Sequence, residues 1–185
     1  MGRFSNRAGD TLQYDIMIYT IQFSERLKPV IGILFVAVTA VFFGMAETQI
    51  EGPNGWAAGL PTWRIESHWL LDIFWGGRPM TGYHAWIFSF MALVFHWPVF
   101  ADGFWSPKLE ARILGSLMIF WIIEDFSWFL FNPGWGWAKF APAFIPWHKK
   151  WLFGLPLDYV TFTIVGALLI GWSWRTQAPP SGTDQ

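Results

Sequence analysis

Two adjacent acidic residues, Glu124 and Asp125, lie within an otherwise largely apolar stretch at residues 120–128. Where such a stretch crosses a bilayer, a charged side chain at its centre costs about 2.5–3.5 kcal/mol on insertion scales. Both carboxylates therefore require protonation, hydrogen bonds, a cation or a metal. Because neighbouring helix positions differ by about 100°, we expect one carboxylate to take a ligand and the other to meet a neighbouring helix or loop.

Other acids and histidines are predicted to gather at the same level as this pair. Glu47 follows the first apolar segment, His84 opens the second, and His148 belongs to the last long loop. Nitrogen and carboxylate donors suit Zn, Fe, Mn or Cu, and a carboxylate in apolar surroundings suits proton transfer. Glu124 and Asp125 are the predicted catalytic pair. The predicted ligands of a divalent transition metal are His84, Glu124, His148 and Glu47.

A structural interpretation of the same acids stays open. Glu124 and Asp125 would then accept hydrogen bonds from Trp indoles, Arg64, Arg78 or loop amides, and would fix the loops onto the helices. The sequence contains no tightly spaced metal motif such as His-Glu-x-x-His. It also has no cysteine, which excludes thiolate ligands and disulfide bonds.

Composition places these residues in an integral membrane protein. The 185-residue chain is 54% hydrophobic and 14% charged and contains 15 Trp, whereas soluble domains carry about 25% charged residues. The net charge of −1 gives no basic field for a nucleic-acid partner. The predicted partners are the lipid bilayer and other membrane subunits.

Apolar segments of about 20 residues predict an all-α, polytopic bundle of four transmembrane helices, which forms a single domain over residues 29–174. A cytoplasmic, amphipathic segment is predicted before it at 1–28, and a disordered cytoplasmic tail after it at 175–185. The predicted spans are 29–46, 84–101, 111–131 and 156–174.

Loop charge and aromatic content predict the orientation. Arg3, Arg7, Arg26 and Lys28 precede the first span, so the positive-inside rule places both termini in the cytoplasm, in a bacterial-type inner membrane or an equivalent one. Two long outer loops, 47–83 and 132–155, contain more than half of the tryptophans. We expect them to form an interfacial cap that includes a short helix around residues 66–75.

These residues and the composition support two alternative hypotheses for the function. The first is a site near the outer face that binds a metal or a small amphipathic ligand for redox or hydrolytic chemistry. The second is a non-catalytic accessory subunit of a respiratory or photosynthetic complex that packs against partner helices, lipid, quinone or pigment. In that second hypothesis His96, which lies in an apolar span, is the predicted ligand of a haem or a chlorophyll-type magnesium.

Overall fold

The computed structural model describes residues 24, 26–75 and 77–175, without the side chains at 73 and 74. Most of the predicted amphipathic segment at 1–28 lies outside the described residues. So does the predicted tail, apart from Arg175. Both remain predictions.

The described chain is mostly helical. Its helices are α1 (Lys28–Glu51), α2 (Trp69–Phe74), α3 (Gly82–Phe95), α4 (Trp97–Asp102), α5 (Pro107–Phe131) and α6 (Leu157–Ser173). Single 3-10 turns occupy Gly52–Asn54 and Trp137–Lys139. Four two-residue strands form two antiparallel hairpins, in which β1 (Arg64–Ile65) pairs with β2 (Met80–Thr81) and β3 (Trp151–Leu152) pairs with β4 (Leu155–Pro156).

Among the residues that the structure describes, three helical segments are long and apolar enough to cross a membrane, which indicates a multi-pass membrane protein. They are Lys28–Asn54, Gly82–Asp102 and Pro107–Phe131, with mean hydropathies of 2.3, 1.4 and 1.6. The fourth predicted span forms α6, whose 17 residues extend about 25 Å at 1.5 Å per residue. This is shorter than the hydrocarbon core of about 30 Å. The four-span count, the tryptophan cap and the orientation therefore stay predictions.

Local sequence explains where the long helices begin and end. Thr81 caps α3 by accepting a hydrogen bond from the backbone nitrogen of His84 at 3.2 Å. Ser106 caps α5 in the same way, and Pro107 suits a first helical position because its missing N–H would have no partner there. Proline at position 98 accompanies the break between α3 and α4, because its ring removes a helical hydrogen bond.

α5 is the central helix, with α1 packed on one side and α6 on the other, while α3 packs against it less extensively. Two glycines permit the close contacts. A Cβ at Gly44 of α1 would lie 2.6 Å from the carbonyl oxygen of Glu124, and one at Gly115 of α5 would lie 2.7 Å from that of Gly166. The contact at Gly44 brings the end of α1 beside the Glu124–Asp125 pair.

The ends of α1 and α5 meet the starts of α3 and α6 at one end of the bundle, which we call the loop end. Asn132 donates from Nδ2 to the carbonyl of Gly52 at 2.8 Å, and Trp135 donates from its indole to that of Pro53 at 2.9 Å. α1 also continues to Glu51, past the predicted end at residue 46. The short helix α2 falls inside the predicted range 66–75.

Candidate metal centre

Three buried side chains with metal-ligating atoms converge at the loop end. Glu47 and Glu51 lie four positions apart on α1, a spacing that places them on one helix face. His84 comes from the first turn of α3. One ligand atom from each of the three lies within 4.8 Å of the other two, and Nε2 of His84 is 3.9 Å from Oε1 of Glu51. This is the spatial arrangement expected of donors that surround one small cation.

Glu124 of α5 adds a third buried carboxylate to this group. Its side chain interacts with that of Glu47, and only 4% of the residue is exposed. Its Oε1 atom has no hydrogen-bond partner among the described residues. We call Glu47, Glu51, His84 and Glu124 the acid cluster. Within the described part of the chain, no Lys or Arg lies at ion-pair distance from its three carboxylates.

Contacts around the His84 ring orient its nitrogens. Nδ1 lies 2.7 Å from the hydroxyl oxygen of Thr81, and the ring stacks on Trp56 with centroids 4.1 Å apart. Nε2 is thereby left on the side of the carboxylates. A metal-ligating histidine commonly has its second ring nitrogen held by an oxygen in this way.

A strained turn supplies the hydrogen bonds around Glu51. Trp56 and Ala57 have positive φ angles of 47° and 52°, which are uncommon for residues with a Cβ. The backbone nitrogen of Ala57 donates to Oε1 of Glu51 at 2.5 Å. Arg64 donates to the carbonyl oxygens of both Trp56 and Ala57. The guanidinium therefore holds the turn that presents an N–H to the Glu51 carboxylate.

A second group of charges lies beside the acid cluster, and we call it the ion-pair network. Nε2 of His148 is 3.0 Å from Oδ2 of Asp125, and Nδ1 is 3.2 Å from Oδ1 of Asp158. Tyr159 donates its hydroxyl to Asp125 at 2.5 Å. Arg78 donates to Asp158 and to the carbonyl of Trp147. The members are Arg78, Asp125, His148, Asp158 and Tyr159.

The network favours a protonated His148. Burial of the ring opposes its charge, but the carboxylates of Asp125 and Asp158 outweigh burial and the nearby Arg78, and they raise the pKa of His148 above its ordinary value. The charged ring then donates one proton toward each carboxylate. Nη2 of Arg78 also lies 2.8 Å from Nδ1, and both groups have the Asp158 carboxylate as a common acceptor.

The acid cluster lines one cavity of about 750 Å³ at the loop end, together with Arg78, Asp125, Asp158 and Tyr159 of the ion-pair network. The acid cluster supplies residues from α1, α3 and α5, and the ion-pair network closes the side toward α6. The remaining wall is largely apolar and aromatic, and it includes Ile87, Phe88, Trp121, Ile122 and Phe162. The arrangement places a polar end and an apolar wall in the same space.

The structure brings some of the predicted site residues together and separates others. Glu47, His84 and Glu124 meet in the acid cluster. Asp125 and His148 pair with each other in the ion-pair network.

His96 lies near the opposite end of the bundle. Its Nδ1 is 2.7 Å from the Ala92 carbonyl, and its Nε2 is 3.2 Å from Glu110. Its assignment to a haem or pigment stays a prediction.

Sequence reasoning missed Glu51 as a ligand and Tyr159 as a partner of this site, and it proposed Arg78 as a partner of Glu124 or Asp125, whereas Arg78 pairs with Asp158. A first span that ends at residue 46 places Glu51 in the loop 47–83. The signal that would have found it is its four-residue spacing from Glu47 on one helix. No local pattern marks Arg78 or Tyr159, since their contacts join distant parts of the chain.

Comparison of the chain with protein-family models, with curated proteins and with solved structures finds no match in any of the three.

Proposed function

We propose that this multi-pass membrane protein binds a divalent transition metal in the acid cluster. The observation that carries the proposal is the group of three buried carboxylates beside His84, without a Lys or Arg at ion-pair distance in the described residues. Isolated buried carboxylates are strongly unfavourable unless they are neutralised, paired or coordinated to a metal. A divalent cation removes most of this charge imbalance in a single step.

The donor set indicates which metals fit. Carboxylate oxygens with one imidazole nitrogen suit Zn, Fe or Mn. Glu47, Glu51 and His84 are the proposed primary ligands, and the Oε1 atom of Glu124 is a further donor. A metal held this way would polarise a bound oxygen atom or lower the pKa of bound water.

The neighbouring groups suggest how the metal would be used. Asp125 lines the same cavity and is held by Tyr159 and His148, so we propose it as the group that accepts or returns a proton. The apolar wall supports an amphipathic ligand that enters from the lipid, for redox or hydrolytic chemistry. In the proposed orientation, the loop end faces outward and both termini are cytoplasmic.

The accessory-subunit hypothesis remains a separate prediction. Its support is the exposed apolar surface, such as Phe35, Phe42 and Trp86, each at least 70% exposed. These faces suit lipid and partner helices equally, so they favour neither function over the other.

Metal analysis of the purified protein tests the proposal. The wild type is expected to retain a bound transition metal after extensive dialysis, and Glu51→Gln and His84→Gln are expected to lose it. Glu110→Gln is the matched control, because it removes a carboxylate near the opposite end of the bundle. A metal-free wild type that gains no thermal stability from added Zn²⁺, Fe²⁺ or Mn²⁺ would contradict the proposal.

A further inference from the structure

We infer that the cavity binds a single-chain amphiphile with an oxyanion head group, such as a long-chain carboxylate. The head group would lie at the loop end, and the tail would lie between α3 and α6. The inference deepens the proposed function, on which it rests for one step, the neutralisation of the acid cluster by a metal.

The apolar wall gives the path of the tail. Ile87 and Phe88 come from α3, Trp121 and Ile122 from α5, and Phe162 from α6. Phe162 is 39% exposed, so we expect the apolar wall to open toward the lipid. A volume of about 750 Å³ falls within the roughly 300–1,000 Å³ typical of small-molecule sites.

Unsatisfied donors identify the chemistry of the head group. Within the described residues, the buried polar atoms that lack a hydrogen-bond partner include Trp75 Nε1, Glu124 Oε1 and Trp128 Nε1. Trp75, Glu124 and Trp128 line the cavity. An indole N–H only donates, so Trp75 and Trp128 require acceptor oxygens. An ammonium head group has no acceptor and would leave both indoles unsatisfied.

Charge at the rim favours an anion over a neutral head. Lys149 and Lys150 are exposed at the cavity, and neither side chain makes an ion pair or hydrogen bond within the described part of the chain. Asp72 is an exposed acid at this rim, so two cations face one anion there.

The inner charges do not reverse this preference. Asp125 and Asp158 are already paired with His148 and Arg78. The metal neutralises most of the acid cluster in the proposed function. The rim therefore retains a net positive charge that an oxyanion complements.

Equilibrium binding of radiolabelled dodecanoate to the full chain in nanodiscs tests the inference, with empty nanodiscs subtracted. Binding is expected to saturate, and to be competed by unlabelled dodecanoate much better than by dodecanol or dodecylammonium. The double variant Lys149→Gln, Lys150→Gln is expected to weaken dodecanoate about tenfold, as is Trp75→Phe, since hydrogen bonds to charged groups are the stronger class. Glu110→Gln serves as the control with unchanged affinity.

Measurements with metal-loaded and metal-free protein separate this inference from the proposed function. Metal binding without saturable dodecanoate binding, or tighter competition by dodecylammonium in the loaded protein, would overturn the inference alone. Dodecanoate binding that depends on the lysines and Trp75 in a protein that binds no metal would sustain the ligand class and refute the metal centre. Should Trp75→Phe fail to fold, the lysine variant alone decides, because both lysine side chains are exposed.

Discussion

The acid cluster and the ion-pair network lie at the same cavity but are built on opposite electrostatic principles. The network sets Asp125 and Asp158 against Arg78 and His148, so its charges balance within the protein. The acid cluster sets three carboxylates against a single histidine. Breaking a buried pair is costly because it leaves an uncompensated charge. The charges of the network therefore balance within the protein, whereas the acid cluster would be neutralised by the cation that we propose.

The two groups diverge at consecutive residues of one helix. Glu124 interacts with Glu47 on α1, and Asp125 contacts His148 and Tyr159 on the side of α6. The difference follows from the rotation of about 100° per helical residue, which directs neighbouring side chains to different partners. Two adjacent acids of one helix thus have different surroundings, other carboxylates at Glu124 and a charge-balanced network at Asp125.

Arg78→Met should give the largest effect on stability, because it leaves Asp158 without its principal cation. We expect the free energy of unfolding to fall by about 2–3 kcal/mol, below the usual range for a fully buried pair, since the Asp158 side chain is 33% exposed. Thermal or denaturant unfolding in detergent measures it. Arg78→Lys keeps the charge but loses the forked geometry. Its stability should lie between that of the wild type and that of Arg78→Met. An unchanged stability in Arg78→Met would show that the network does not stabilise the fold.

Thr81→Val should weaken metal binding by about 10–100-fold, the usual cost of removing an outer-shell partner of a ligating histidine. The hydroxyl that holds Nδ1 of His84 is lost, while the side-chain volume is nearly kept. Metal titration of the folded variant gives the change. Thr81→Ser retains the hydroxyl and should bind as the wild type does, and equal affinities in all three proteins would argue against the assigned role of Thr81.

Glu124→Gln should stabilise the metal-free protein, whereas Arg78→Met should destabilise it. This difference in sign distinguishes the acid cluster from the ion-pair network. Without metal, Glu124→Gln removes one of three crowded carboxylates and should stabilise the protein by about 1 kcal/mol, of the order of one unfavourable buried polar contact. With metal, the variant should gain less stability than the wild type does. Paired melting curves with and without metal measure both quantities. A metal-free variant less stable than metal-free wild type would show that the cluster is already satisfied internally.

Acidity should affect the ion-pair network through His148, with the smallest effect of the set. Its folded-state pKa is raised above 6.5 by Asp125 and Asp158 despite burial. The stabilisation from the charged ring is therefore fully present below pH 6.5 and is lost as the pH rises through the raised value. The melting temperature should fall over that window, and His148→Gln should flatten the change. A wild type and variant with the same pH profile would contradict the assignment of charge to His148.

Hydropathy was sufficient to find three of the apolar segments, and the helix-breaking residues Asn132-Pro133-Gly134 account for the end of α5 at Phe131. It was insufficient for the end of α1. Acidic residues normally mark the end of an apolar span, but Glu51 continues the helix because it is buried at the loop end. That burial depends on tertiary contacts, which hydropathy does not contain.

The site was predictable only in part, because many of its contacts also depend on tertiary structure. Topology placed Glu47, His84 and Glu124 at one level, and the structure brings them together. The partner of His148 was not readable, because its contacts with Asp125 and Asp158 depend on how the last loop folds back over α5. The pairing of Arg78 with Asp158 spans 80 positions of the chain, and no spacing rule reaches that far.

A cobalt titration of the metal-free protein tests the central claim most directly, because Co²⁺ bound by nitrogen and oxygen ligands gives visible absorption that reports on its coordination. We expect a saturable visible spectrum and a raised melting temperature in the wild type and in Glu110→Gln. Both signals should be absent from Glu51→Gln and His84→Gln. A wild type that shows neither signal, or variants that show both unchanged, would contradict the claim that the acid cluster is a cation site.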